Sequence, residues 1–330
     1  MNFRNIIRVI GLLVLLFSFI SILPILISFI YKDNSESAFL KTFLYSFIIG
    51  IFFWIPNKKQ KGRLNSREGF LVVVLFWTVL GSLGSLPFLL IKFPYFSVTD
   101  AFFESFSGLT TTGATVLLNL EKLPMGILFY RQMLQWFGGM GIIVLAVAIL
   151  PIEGTKLYYA EIPGPIKDNK ICPRISQIAK NLWIIYISLT ILCIFLLWIA
   201  GMSFFDSVAH SFSIVSIGGF STKNNSIGHY NSPLINTIVA VFLIISSCNY
   251  NLHFSAVHYH SLKVYWKDQE FKVFIGIQIF LFVFCASILY LYKIYDSFLE
   301  ILNKSFFQVI SMSTTAGFIT DRSYLWPSVL

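Results

Sequence analysis

The chain has 330 residues, of which 56% are hydrophobic and only 12% are charged, and its formal net charge is +9. Soluble domains are about 45–50% apolar and about 25% charged, so this composition excludes an ordinary soluble protein and indicates an integral membrane protein. The four cysteines are scattered, without the spacing of a metal or redox site, and we expect free thiols.

Seven stretches are long and apolar enough to cross a bilayer, which takes about 20 residues. They lie near residues 6–30, 38–56, 70–92, 125–150, 181–201, 233–257 and 273–292. The first follows Arg4 and Arg8 but is too long for a signal peptide and lacks a small-residue cleavage site, so we expect a retained helix.

Basic residues are concentrated on one side of this arrangement. If the N-terminus is cytoplasmic, the inner segments hold 15 Lys and Arg against 6 Asp and Glu. This positive-inside pattern predicts a cytoplasmic N-terminus. The basic run at residues 58–67 directly follows a span, which favours an anchor at the lipid interface over a nucleic-acid patch.

Three shorter apolar segments form an internal repeat. DAFFESFSGLTTTGAT from Asp100, DSVAHSFSIVSIGGFS from Asp206 and KSFFQVISMSTTAGFI from Lys304 align without gaps. Their glycines at 113, 219 and 317 are in register, and a proline follows each copy, at 124, 233 and 327. Each copy predicts a re-entrant half-length helix, an extended Thr/Ser/Gly-rich stretch and a return to a spanning helix. A single copy would be read as a turn, but three registered copies argue against that interpretation.

The membrane limits what such a segment can do. Non-helical backbone at bilayer depth must be buried in protein or line a watery cavity. Rings of backbone carbonyls can replace the hydration shell of a cation, and a glycine can adopt the positive φ that turns carbonyls toward one axis. The C-terminal ends of the short helices add partial negative charge. The repeat therefore predicts a cation-conducting filter.

The residues that carry this repeat also resemble a known family. GLTTTGATVL, RQMLQWFGGMGIIVLAVAILP, EIPGPIKDNK, SIGGFST, CNYNLHFS and FFQVISMSTTAGF are similar, in order and spacing, to blocks of the TrkH branch of the Trk/Ktr/HKT superfamily. The resemblance implies an all-α membrane protein with pore repeats around a central pore and an N-terminal helical hairpin. The implied division is 1–66 for the hairpin, 67–152 for repeat one, 153–260 for a cytoplasmic loop and repeat two, and 261–330 for an incomplete repeat three.

The resemblance further implies potassium uptake across the bacterial inner membrane, with K⁺ as the transported ion and no prosthetic group. The implied filter carbonyls belong to nine residues: Thr111, Thr112, Gly113, Ile217, Gly218, Gly219, Thr315, Ala316 and Gly317. The implied partners are a second copy in a homodimer and a cytoplasmic TrkA-like nucleotide-binding protein. Residues 161–170 are either its docking surface or an ordinary connecting loop.

The sequence departs from the family in having three pore segments where the family has four. It ends at Leu330, as the second helix of repeat three begins. We therefore expect residues 1–330 alone to insert without supporting potassium-limited growth, and a non-conducting remnant or membrane scaffold is the alternative function. An enzyme is not expected, because H-E-x-x-H, G-x-S-x-G and paired intramembrane carboxylates are missing.

Further ionisable residues lie within the apolar segments. We expect Glu104 and His210 to pack or hydrogen-bond behind the filter, and Asp100 and Asp206 to cap the pore helices. Arg131 is expected either to snorkel or to face the outer vestibule. Glycines at 138, 139 and 141 indicate close helix packing and not a nucleotide loop, since no strand precedes them.

Overall fold

The computed structural model describes residues 3–58, 65–141, 175–320 and 326–327. Within them every regular element is helical, which agrees with the predicted all-α fold. The helices are α1 Phe3–Ser18, α2 Ile22–Tyr31, α3 Glu36–Trp54, α4 Ser66–Gly84, α5 Leu86–Leu90, α6 Val98–Leu109, α7 Met125–Gly139, α8 Ile175–Ile199, α9 Phe204–Val215, α10 Pro233–Ser247, α11 Tyr250–His258, α12 Lys263–Lys267, α13 Gln269–Leu291 and α14 Phe298–Ser313.

Most predicted spans correspond to long apolar helices. In the described residues five helical stretches can cross a membrane: Phe3–Tyr31, Glu36–Asn57, Arg67–Leu90, Lys180–Ile199 and Gln269–Leu291. The predicted span at 125–150 begins as α7, and its second half lies outside the described residues. Residues 161–170, the predicted docking segment, also lie outside them.

The predicted span at 233–257 is wrong as a single straight helix. It is a pair, α10 and α11, that meet at 91°. Cys248 at the junction has an extended backbone with ψ of 150°. Asn249 then starts the next helix, because its side chain accepts a hydrogen bond from the N–H of Asn251.

The chain divides into two compact units. The first comprises Met1–Thr110, Thr115–Leu117 and Lys122–Trp183, and the second comprises Thr111–Ala114, Leu118–Glu121 and Ile184–Leu330. In the first unit, α1 and α3 form the predicted hairpin and approach closely at two glycines. A Cβ on Gly11 would lie 2.7 Å from the backbone nitrogen of Trp54, and one on Gly50 would lie 2.8 Å from that of Leu15. Small residues thus allow the two backbones to pack together.

A polar cluster fastens the end of this hairpin to α7. Asp33 lies in the turn between α2 and α3, and its Oδ2 accepts a hydrogen bond of 2.7 Å from the N–H of Gly126. Its Oδ1 accepts from Ser28 and from the N–H and hydroxyl of Ser35. One carboxylate therefore joins the hairpin turn to the first turn of α7.

In the second unit, α10 and α13 pack against α14. The amide of Asn236 donates to Asn303 at 2.9 Å, and the hydroxyl of Ser313 donates to Gln278 at 2.8 Å. Leu289 and Ile301 are almost fully buried where α13 meets α14. These contacts hold the third short helix in place.

Candidate functional site: three registered glycine segments

Three short helices, α6, α9 and α14, each end immediately before one of the predicted filter segments. They have 12, 12 and 16 residues, which is too short to span a bilayer and agrees with the predicted half-length pore helices. Their C-caps are Thr110, Ser216 and Thr314. The negative ends of all three helix dipoles thus adjoin the segments.

The start of two of these helices differs from the prediction. Ser97 and Ser203 are the N-caps, and their hydroxyls accept hydrogen bonds of 3.1 Å from the N–H groups of Asp100 and Asp206. The aspartates lie in the first turn and not at the cap, so the assignment of the caps to Asp100 and Asp206 was wrong. The spacing Ser-x-x-Asp, a variant of the capping box, carried this signal in the sequence.

The backbone of the three segments follows one pattern. Gly113, Gly219 and Gly317 have φ of 76°, 83° and 75°. The residue two positions before each glycine also has positive φ: 54° at Thr111, 56° at Ile217 and 64° at Thr315. All three of these residues are β-branched, for which this conformation is a true outlier and costs about 1–2 kcal/mol. Strain repeated at three equivalent positions marks a functional backbone.

Hydrogen bonds show where two of the backbone carbonyls in these segments point. The N–H of Gly218 donates to Ser213 at 2.7 Å, and that of Gly317 donates to Ser311 at 3.1 Å, both within their own pore helices. In a planar trans peptide the carbonyl of the preceding residue points the opposite way. The carbonyls of Ile217 and Ala316 therefore point away from the helices that precede them.

The glycines also mark where neighbouring segments touch. An ideal Cβ on Gly113 would lie closer than 3.0 Å to the carbonyl oxygen of Gly218. One on Gly219 would lie equally close to the carbonyl oxygen of Ala316. The segments at 111–114, 217–219 and 315–317 all belong to the second unit and lie side by side in this order. The nine predicted filter residues are thus brought together in three adjoining extended segments.

The first unit holds a fully buried ion pair between α6 and α7. Arg131 Nε is 2.9 Å from Glu104 Oε2, and neither side chain is exposed. Glu104 Oε1 accepts from the hydroxyl of Thr115 and, at 2.9 Å, from the N–H of Val116. The hydrogen-bonding role expected for Glu104 is confirmed. Both expectations for Arg131 were wrong, because the buried carboxylate of Glu104 holds it inside the protein.

The second and third segments are fastened by other groups. His210 Nε2 lies 2.9 Å from Ser221 Oγ, and Thr222 donates to Asp206 at 2.6 Å. In the third copy, Ser311 donates to the carbonyl of Phe318 at 2.7 Å. Among the described residues, no group of three or more His, Cys, Asp or Glu could hold a metal ion.

Comparison with known proteins decides the family. The family model described as TrkH, cation transport protein, matches residues 35–330. The TrkH potassium uptake protein of Salmonella typhimurium is 60% identical over 100% of this chain and 69% of its own length. That of Vibrio parahaemolyticus is 55% identical over the same shares. The crystal structure titled as the potassium transporter TrkH of V. parahaemolyticus superposes with a TM-score of 0.89 at 51% identity, over 99% of this chain and 68% of that one.

The chain belongs to the TrkH family. Membership confirms the family resemblance and, with the long apolar helices, a multi-pass membrane protein. More distant members retain the likeness, since Escherichia coli TrkG is 37% identical over 96% of this chain and 66% of its own length. The Escherichia coli K12 TrkH is 59% identical over the whole of this chain.

For this TrkH-family chain, sequence reasoning missed two features of the site. The positive φ at Thr111, Ile217 and Thr315 opposes their intrinsic preferences, so no local signal predicts it. The Glu104–Arg131 pair joins residues that are 27 positions apart, and only the packing of α6 against α7 brings them together. A pair of opposite charges in apolar segments was the available hint.

Proposed function

We propose that this chain forms the potassium-conducting pore of a Trk-type uptake system in the bacterial inner membrane, with its N-terminus in the cytoplasm. The main support is the backbone pattern of the three filter segments. In each segment the glycine and the residue two positions before it have positive φ. Such a backbone can present successive carbonyl oxygens to one path, where they replace the water around a dehydrated cation.

The proposed ligands are the carbonyl oxygens of the nine residues at 111–113, 217–219 and 315–317. Three pore helices add the negative ends of their dipoles directly before these carbonyls, which favours a cation over an anion. Transport, and not catalysis, is the proposed activity. The named relatives of this family are potassium uptake proteins.

The proposal includes two partners and a division of the chain. A second copy of this chain would form a homodimer, and a cytoplasmic TrkA-like protein would supply nucleotide-dependent gating. Residues 1–66 would be the hairpin, and 67–152, 153–260 and 261–330 would each contribute one filter strand. Lipid surrounds the spans, whose apolar side chains are widely exposed, as at Phe29, Phe52 and Phe280.

The test uses the protein in the form that its native gene encodes. It is expressed in a bacterium that lacks its own potassium uptake systems, and rubidium uptake and growth at limiting potassium are measured. We expect uptake that competing potassium blocks and sodium blocks weakly. Membrane-inserted protein that supports neither rubidium uptake nor growth would overturn the proposal.

A further inference from the structure

We infer that His210 positions the second filter strand, and that it does so as a neutral imidazole through Ser221. This inference deepens the proposed function and rests on it for its effect on selectivity. His210 lies in the middle of pore helix α9, is fully buried and belongs to the same unit as all three filter segments.

The partners of His210 define where its proton lies. Nδ1 is 2.8 Å from the carbonyl oxygen of Asp206, which can only accept, so Nδ1 carries the hydrogen. Nε2 must then accept in the neutral ring, and it does so from the Ser221 hydroxyl at 2.9 Å. The Ser221 oxygen in turn accepts from the N–H of Lys223 at 3.0 Å. In this series of three hydrogen bonds, the His210 Nδ1–H, the Ser221 hydroxyl and the Lys223 N–H each donate to one acceptor.

Ser221 stands two residues after Gly219. The hydrogen bonds that join Ser221 to His210 therefore tie the outer end of the second filter segment to α9, the helix that precedes it. A second tie lies one helical turn earlier, where Asp206 accepts from Thr222 and pairs with Lys223 Nζ at 3.5 Å. At the inner end, Gly218 is held by Ser213. The strained residue Ile217 thus directly precedes a fastened stretch that runs from Gly218 to Thr222, and a strained backbone persists only where its surroundings hold it.

The equivalent positions of the other copies show that such a tie does not require histidine. In the first copy Glu104 accepts from Thr115, which also stands two residues after the glycine. In the third copy the two positions hold Gln308 and Ile319, and Gln308 Nε2 has no hydrogen-bond partner among the described residues. The third strand is held by Ser311 instead. Two copies therefore have the tie, and the third copy lacks it.

The experiment compares His210→Asn and Ser221→Ala with matched controls. Asn is too short to reach Ser221, whereas Gln in His210→Gln extends an amide oxygen far enough to accept from it. Ser207→Ala removes a hydrogen bond to the carbonyl of Ser203, the N-cap of α9, and Gln308→Leu changes the position that lacks the tie. The combined His210→Asn and Ser221→Ala variant tests whether the two residues act as one unit.

The first measurement is amide hydrogen exchange of residues 216–223 in the purified protein, which needs no transport. We expect His210→Asn and Ser221→Ala to speed exchange by about tenfold, the value of one net hydrogen bond. The double variant should be no worse than either single one. His210→Gln should stay near wild type, and so should both controls. Unchanged exchange in His210→Asn, or equal acceleration in Ser207→Ala, would overturn the positioning role.

The second measurement is sodium inhibition of rubidium uptake by the native gene product at equal membrane abundance. Sodium discrimination should fall roughly three- to tenfold in His210→Asn and Ser221→Ala. His210→Gln should restore most of it. Faster exchange with unchanged discrimination would overturn the link to selectivity. Absence of uptake by wild type would overturn the proposed function, and the exchange data would still decide whether His210 holds the strand.

Discussion

A side chain at Gly219 would carry two separate costs. One is its φ of 83°, and the other is overlap with the carbonyl oxygen of Ala316. Gly201 carries only the first, since its φ is 104° and no described atom lies within 4 Å of an ideal Cβ. We expect Gly219→Ser to lower sodium discrimination in rubidium uptake, and Gly201→Ser to cost about 1–2 kcal/mol of stability with discrimination intact.

Gly138 would be a poor control for this comparison. A Cβ there would overlap the carbonyl oxygen of Leu109, the last residue of α6. This contact confirms the close packing predicted for Gly138. Equal loss of discrimination in the Gly201 and Gly219 variants would contradict the steric explanation.

At the scale of single residues, sequence predicts the glycines of the site better than their neighbours. Gly113, Gly219 and Gly317 were recognised because they recur in register and because glycine alone adopts positive φ without strain. Thr111 and Ile217 adopt it only because the surrounding structure overrides their preference for extended backbone. Residue type therefore carries no trace of their conformation.

Among the elements, the hairpin of α1 and α3 depends on close approach. We expect Gly50→Val to lower the thermal stability of the purified protein by a few degrees or more, because a larger side chain would meet the backbone of Leu15. Gly276→Val in α13 is the matched control, with no described atom within 4 Å of its Cβ. A similar melting temperature for the Gly50 variant and wild type would show that α1 and α3 can move apart without loss of stability, which would contradict this prediction.

The tie between the hairpin turn and α7 predicts a dependence on pH. Burial alone would raise the pKa of Asp33, but hydrogen bonds from Gly126, Ser28 and Ser35 outweigh it and hold the pKa below its ordinary value of 3.8. A carboxyl with a lowered folded pKa contributes stability above its ordinary pKa and loses it as the pH falls through the folded value. Asp33→Asn should therefore lower the melting temperature at neutral pH, and the difference from wild type should shrink below pH 3.8.

The exposed Asp296 provides the control, and Asp296→Asn should leave the melting temperature at neutral pH close to wild type. If the effect of Asp33→Asn were the same at pH 3 and at neutral pH, the carboxylate charge would not be the cause.

The order of the helices was largely predictable from the sequence, but the bend between two helices within one apolar stretch was not. Long apolar runs predict spans because the bilayer demands them, and the registered copies predict the short helices. The bend between α10 and α11 needs only Cys248 and Asn249 to leave the helical conformation. Two residues change the mean hydropathy of a 25-residue window very little, so the run at 233–257 still resembled one continuous span.

For the molecule as a whole, orientation follows from the distribution of basic residues. If the N-terminus is cytoplasmic, single cysteines at Lys267, and at the sequence positions Lys61 and Lys167, should be shielded from an impermeant reagent added outside the cell. Cysteines at Lys122 and Lys223 should react. The native cysteines would first be replaced, and lysed cells would show that every label is reactive. The reverse pattern of labelling would invert the proposed topology.

The contacts between the three glycine segments limit which residues each copy can carry. Because Gly113 lies against the carbonyl oxygen of Gly218, and Gly219 against that of Ala316, replacement of either glycine would disturb two copies at once. Gly218 and Ala316 take part through their carbonyl oxygens, and the position before the glycine holds threonine, glycine and alanine in turn at 112, 218 and 316. The three copies can thus differ in side chain at the position before the glycine, whereas Gly113 and Gly219 must stay without a side chain because a carbonyl oxygen of another copy occupies that space.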